Sequence, residues 1–229
     1  MEGKPKVSLS ADTVLAIIAV MPEQWRVFFS LLAESGCRIS ELLGLRWENV
    51  HLGDDPTILV CEQWKDGKYK RLKTESSRAR LPLSPQMAQW LEQVKPEDAT
   101  GPVFPSRAGT PLNYSNLYNR VLQPALEKCG LPRMGFHPFR KACGSLLVNA
   151  GMDLKQVQQR LRHAQLATTL ACYVEEVDSG RGAAEAMSGL LWGNRGDTEH
   201  PQTTADEVDM DSAESALQSL SADNRNLSN

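Results

Sequence analysis

The stretch Glu23 to Ser35 constrains the fold more than any other part of this chain. It carries Trp25, Val27, Phe28, Leu31 and Leu32 within about three turns and ends at Gly36. Large apolar residues on so many sides predict a largely buried helix, because a helix with only one apolar stripe would sit at the surface. Gly36 suits the left-handed residue that closes such a helix. Ser10 to Val20 is predicted as a preceding helix, capped by Ser10, with Val14, Ile17 and Ile18 on one face and Pro22 as its stop. Ile39 to Leu45 reads as a short helix capped at or just before Ser40.

The pattern then changes. Thr57 to Gln63 alternates and is β-branched early, Asp66-Gly67 is a hairpin turn signal, and Tyr69 to Lys73 and Arg80 to Leu83 read as two more strands. Together these predict a small three-stranded antiparallel sheet. Helices follow at Ser84–Val94, Asn113–Cys129, Pro138–Ala150 and Asp153–Leu161, with a Pro- and Gly-rich loop over Lys95–Pro111. Leu166–Tyr173 and Gly180–Leu191 are shorter helical candidates. The expected class is α+β, mainly helical.

Charge divides the chain. Two of the 25 basic residues and eight of the 28 acidic ones lie from Arg195 onward, leaving 23 and 20 in the remainder, a net of +3. Residues 1–194 are therefore expected to form one mildly basic domain and residues 195–229 an acidic, disordered tail. No run approaches the ~20 apolar residues of a membrane span. The five cysteines are scattered, odd in number and without CxxC spacing, so they predict neither a disulfide frame nor a metal site, and no cofactor is expected.

Several polar residues stand where a packing pattern does not require them. Arg38 lies at a helix start, with Glu41 three residues on to orient it. A guanidinium there can fork onto a phosphate, although the same two residues also make an ordinary surface pair. Lys73 ends a predicted strand and can reach into a groove as a proton donor, or simply guard a strand edge. His137 and Arg140 share one side of a helix start, where a cation opposes the helix dipole unless an anion binds. His163 ends a helix and Tyr173 follows ten residues later. A phenol titrates near ~10 and needs cationic neighbours to act as a nucleophile at neutral pH.

Taken together these motifs resemble the tyrosine recombinases, the family of phage integrases and Xer-like recombinases. The matching segments are Gly36 to Leu42, Lys73-Thr74 through Arg80 to Leu83, His137-x-x-Arg140, Leu161-Arg162-His163, and Thr168 to Tyr173. The similarity spans roughly Leu9 to Leu191. Phe139 stands where Leu is commoner, Lys141 where His or Lys is usual, and Arg162 where Gly is common. Family members usually carry an N-terminal helical domain that clamps the other face of DNA; here the resembling region begins close to Met1.

The resemblance implies the tyrosine recombinase catalytic fold, with a homo-oligomer, a tetramer, on paired sites in double-stranded DNA. It implies that Tyr173 attacks a backbone phosphate to give a 3′-phosphotyrosyl bond. Arg38 and Arg140 would neutralise the phosphate, Lys73 protonate the leaving 5′ oxygen, and His137 and His163 hydrogen-bond the phosphate. It further implies that the apolar stripe of Gly180 to Trp192 docks on a neighbouring protomer. A cytoplasmic, nucleoid-associated protein is expected. A type IB topoisomerase-like enzyme and a DNA-binding module without catalysis are the competing readings.

Overall fold

The structure is a computed structural model and describes residues 9–72 and 77–163. Its centre is helix α2 (Glu23–Ser35). Phe28, Phe29, Leu31 and Leu32 of this helix are fully buried. Phe29 meets Phe139 with ring centroids 5.7 Å apart, and Phe28 meets Phe104 edge-on at 5.0 Å. Edge-to-face contact of this kind stabilises beyond the area it buries. Trp25 and Val27 are only half-buried and pack at the rim of this core, so the apolar surface of α2 is less complete than its sequence predicts.

Around α2 pack α1 (Ala11–Ala19), α4 (Pro85–Val94) and α7 (His137–Asn149), while α8 (Leu154–Leu161) packs on α7. Ser10 caps α1, its hydroxyl accepting from the Thr13 N–H at 3.2 Å. Ser84 caps α4 and is itself held from α2. The Glu34 carboxylate accepts from both the Ser84 N–H and its hydroxyl, each at 2.8 Å. A cap that is tied to a second helix sets where α4 begins as well as stabilising it.

Asn113 to Cys129 is helical as expected, but not uniformly so. It runs as α5 (Tyr114–Leu117), a π-helical turn (Tyr118–Leu122) and α6 (Gln123–Lys128). Pro124 accounts for the wide turn. It has no N–H to donate to Arg120, and its ring would crowd that carbonyl in a regular α-helix.

The β structure is antiparallel, as expected, but its strands are partnered differently. The three-stranded sheet has the order β1 (Val50–His51), β2 (Thr57–Val60), β5 (Ala79–Pro82), with Ile58 opposite Leu81. The expected strand Thr57 to Gln63 divides at Cys61. Its second part, β3 (Glu62–Lys65), pairs with β4 (Lys68–Arg71) as a separate ribbon. Asp66 (φ 56) and Gly67 (φ 71) form the predicted two-residue turn, and that turn forces 62–65 onto 68–71. Residues 57–60 are left to pair elsewhere. The ribbon lies on α3 (Ile39–Leu43), the short helix after α2. A Cβ on Gly44 would stand 2.7 Å from the Trp64 backbone nitrogen, so only glycine admits so close an approach.

Candidate active site

Three chain reversals build the site. The first is the end of α2, where Gly36 adopts φ 60 and turns the chain into α3. Arg38 is the residue before α3, extended at φ −69 and ψ 146. Glu41 reaches back to it. The carboxylate accepts from the Arg38 backbone N–H at 2.8 Å and from Arg38 Nη1 at 2.9 Å. The backbone bond is one half of a capping box and satisfies a donor that the helix start would leave open. The Arg38 side chain remains 47% exposed and that of Glu41 1% exposed. Glu41 thus orients Arg38, as the spacing suggested, and does so as a buried acid.

The second reversal is the start of α7. His137 is its first residue and lies at the surface, and Arg140 lies one turn further along. Arg140 is buried. Its Nη1 donates to the Gly36 carbonyl at 2.6 Å and its Nη2 donates to the Leu161 carbonyl. Both acceptors close helices, α2 and α8, whose final carbonyls carry partial negative charge and lack helical partners. One planar guanidinium therefore ties two helix C-termini to a helix N-terminus.

The third reversal is the end of α8. Arg162 takes the left-handed conformation, φ 54 and ψ 44, and sets His163 beside the other residues. Arg162 is buried, and its Nη2 lies 2.5 Å from Glu41 Oε2. Among the described residues the site thus brings together three guanidinium groups and the Glu41 carboxylate. His163 lies close enough for the charges of Arg140, Arg38 and Arg162 to act on its ring.

This electrostatic setting shows in the titrations. Burial first, then the charges of Arg38 and Arg162, bring the Arg140 guanidinium down to about 10. Burial, then Arg140 and Arg38, bring His163 down to about 4, so its ring is neutral near pH 7. Partial burial and the cations Arg140, Lys141 and Arg38 hold His137 below its ordinary value. A cationic cluster whose histidines resist protonation is suited to binding an anion such as a phosphate. Such an anion would relieve the mutual repulsion of the guanidinium groups.

The structure brings Arg38, His137, Arg140 and His163 together from three separate segments. Lys73 and Tyr173 lie outside the described residues, as do the candidate helices Leu166–Tyr173 and Gly180–Leu191 and residues 195–229. Sequence reasoning did not assign a role to Arg162. The available signal was an arginine at a helix end where glycine is common.

Residues 8–179 match the family model described as the Phage integrase family. Tyrosine recombinase XerC of Xylella fastidiosa is 31% identical over 163 residues, covering 71% of this chain and 50% of that protein. Tyrosine recombinase XerD of Pseudomonas aeruginosa is 30% identical over 186 residues, covering 73% of this chain and 57% of that protein. The chain thus spans about half the length of the curated relatives it matches. Among solved structures, the Tn1549 transposon integrase in complex with transposon right end DNA superposes with a TM-score of 0.68 at 23% identity. That match covers 83% of this chain and 67% of the integrase chain, and establishes a shared fold.

Proposed function

This chain belongs to the phage integrase family, and on that footing we propose that it is a tyrosine site-specific recombinase that cleaves and rejoins double-stranded DNA. The observation that carries the reading is the meeting of Arg38, His137, Arg140 and His163 at the ends of α2, α7 and α8. These residues are separated by up to 125 positions, and two of them, Arg38 and Arg140, are cations whose charges act on the same histidines.

In this reading the Tyr173 oxygen attacks the scissile phosphorus and forms a 3′-phosphotyrosyl bond as the bond to the 5′ oxygen breaks. Lys73 gives its proton to that leaving oxygen. Arg38, with its outer face in solvent, and Arg140, set deeper, neutralise the non-bridging oxygens as charge develops. The neutral His163 ring donates one hydrogen bond to the phosphate. His137, held below its ordinary pKa, is available as a base for the tyrosyl proton. The bond energy stays in the phosphotyrosyl linkage, and attack by the 5′-hydroxyl of a partner strand reverses the step without ATP.

Residues 1–194 form the catalytic domain in this reading and residues 195–229 an acidic tail. Exchange between two duplexes requires several protomers around paired sites, so the working form is a homo-oligomer, a tetramer on DNA, located in the cytoplasm at the nucleoid.

The test is a nicked suicide duplex whose cleaved end diffuses away. A covalent protein–DNA adduct supports the reading, and strand exchange between two duplexes separates a recombinase from a topoisomerase-like enzyme. A chain that binds duplex DNA and never forms an adduct would instead be a binding module.

A further inference from the structure

Arg162 occupies a backbone position that arginine does not favour. It follows the last residue of α8 with φ 54, in the region where a Cβ crowds the neighbouring carbonyl and glycine alone is unstrained. The helix closes through two reversed bonds. The Arg162 N–H donates to the Gln159 carbonyl and the His163 N–H to the Gln158 carbonyl, each at 3.1 Å. Glycine commonly supplies this closure. The backbone therefore gives no reason for an arginine.

Its own hydrogen bonding gives none either. The side chain is 1% exposed, and among the described residues its buried Nε and Nη1 have no hydrogen-bond partner. Buried donors left open are unfavourable, and a buried guanidinium more so. Among the described residues one polar contact of the side chain remains, Nη2 to Glu41 Oε2 at 2.5 Å.

Glu41 makes that contact consequential. The same Oε2 accepts from the Arg38 backbone N–H at 2.8 Å, and Oε1 accepts from Arg38 Nη1 at 2.9 Å. The carboxylate thus grips Arg38 by its main chain and by its guanidinium. With Arg38 as its only cationic partner, the buried carboxylate would carry its whole charge against that one guanidinium and draw it inward. A second cation on Oε2, from the buried side, fixes the carboxylate plane and offsets its charge. Arg38 is then left with one side-chain bond to Glu41 and with its outer face open.

We propose that Arg162 is a positioning residue that acts through Glu41 to hold Arg38 in place and keep its charge available to the phosphate. The identity of that phosphate rests on the recombinase reading above; the clamp itself rests on the geometry.

The experiment compares the wild-type chain with R162G, R162K, E41Q and the R162G/E41Q double variant. Glycine suits the backbone at 162, lysine keeps the charge without the fork, and E41Q keeps the shape of the acid without its charge. Two readouts are taken: the side-chain ¹⁵N resonances of Arg38 in the free protein, and the cleavage rate on a suicide duplex. In R162G the Arg38 guanidinium signals should broaden as the group is released. Cleavage should fall roughly 10- to 100-fold, the scale of one lost charge-assisted hydrogen bond. R162K should recover part of the loss. The double variant should be no slower than E41Q alone, because Arg162 has no route to Arg38 once the carboxylate is gone.

An R162G protein with unchanged Arg38 signals and wild-type cleavage overturns the proposal, and so do strictly additive losses in the double variant. If R162G fails to fold, E41Q decides: unchanged Arg38 signals there overturn the clamp, and released ones support it. A wild-type chain that forms no adduct overturns the recombinase reading; the Arg38 signals in R162G still decide whether Arg162 holds Arg38.

Discussion

The Arg140 guanidinium donates from Nη1 to the carbonyl of Gly36, 2.6 Å away and 104 residues earlier in the chain. A residue expected to meet a phosphate is also a tie between helices. Arg140→Ala should therefore lower stability as well as activity. The Gly36 and Leu161 carbonyls would lose their buried donor, with an expected loss of about 2–4 kcal/mol. Cleavage should fall by about 10²–10³-fold, the usual effect of removing a donor to a developing oxyanion. Arg140→Lys should recover little of either, because an ammonium cannot span both carbonyls as the planar fork does. Urea unfolding and single-turnover cleavage check this; an alanine variant as stable as wild type would count against the tie.

Gly36→Ala should be destabilising by about 2–4 kcal/mol, from the left-handed backbone and overpacking together. A Cβ there would lie 2.7 Å from Leu161 Cδ2 and 3.1 Å from Cys143 Sγ, at φ 60. The substitution should also slow cleavage, since the carbonyl that holds Arg140 would move with it. Thermal unfolding of the variant at neutral pH reads the first effect directly.

His163 should titrate near pH 4, well below its ordinary 6.5. Its folded-state value is depressed, so between pH 6.5 and about 4 the unfolded chain binds a proton that the folded chain does not. The contribution of this ring to stability is thus complete above the unfolded value, falls as pH drops through that window, and levels off below it. Ring NMR resonances followed from pH 8 to pH 3.5 give the midpoint. Arg38→Gln should raise it, because it removes one of the cations that oppose protonation. A midpoint at the ordinary value would mean that neither burial nor the guanidinium groups act on His163.

Tyr173→Phe should abolish covalent DNA adducts and leave duplex binding nearly intact, since it removes the nucleophilic oxygen and keeps the ring. Denaturing gels with the suicide duplex show the adduct, and gel shifts show the binding. An adduct formed by the Phe variant would assign the attack to another residue.

Lys73→Ala should lose cleavage on an ordinary duplex and regain part of it on a 5′-phosphorothiolate duplex, whose sulfur leaves without a proton. Equal impairment on both substrates would argue that Lys73 is not the acid.

The local features were legible in the sequence because their causes lie within a few residues. The apolar density of 23–35 and the glycine after it define α2, Asp66-Gly67 defines the ribbon turn, and Pro138 marks the start of α7. Residue type alone left Arg38, His137, Arg140 and His163 open to ordinary structural readings, and it was their order and spacing, through the resemblance to a family, that singled them out. Tertiary structure decided what each of them touches. Strand β2 pairs with β5 and with the two-residue β1, a strand too short to show any period, because the tight turn commits β3 to β4. Arg140 bonds carbonyls 104 and 21 residues away, and Arg162 reaches Glu41 across 121 residues. Caps, turns and periodicity act between chain neighbours. The partners of a buried arginine depend on which helix ends and which carboxylate remain unsatisfied once the helices have packed, and no window of sequence contains that information.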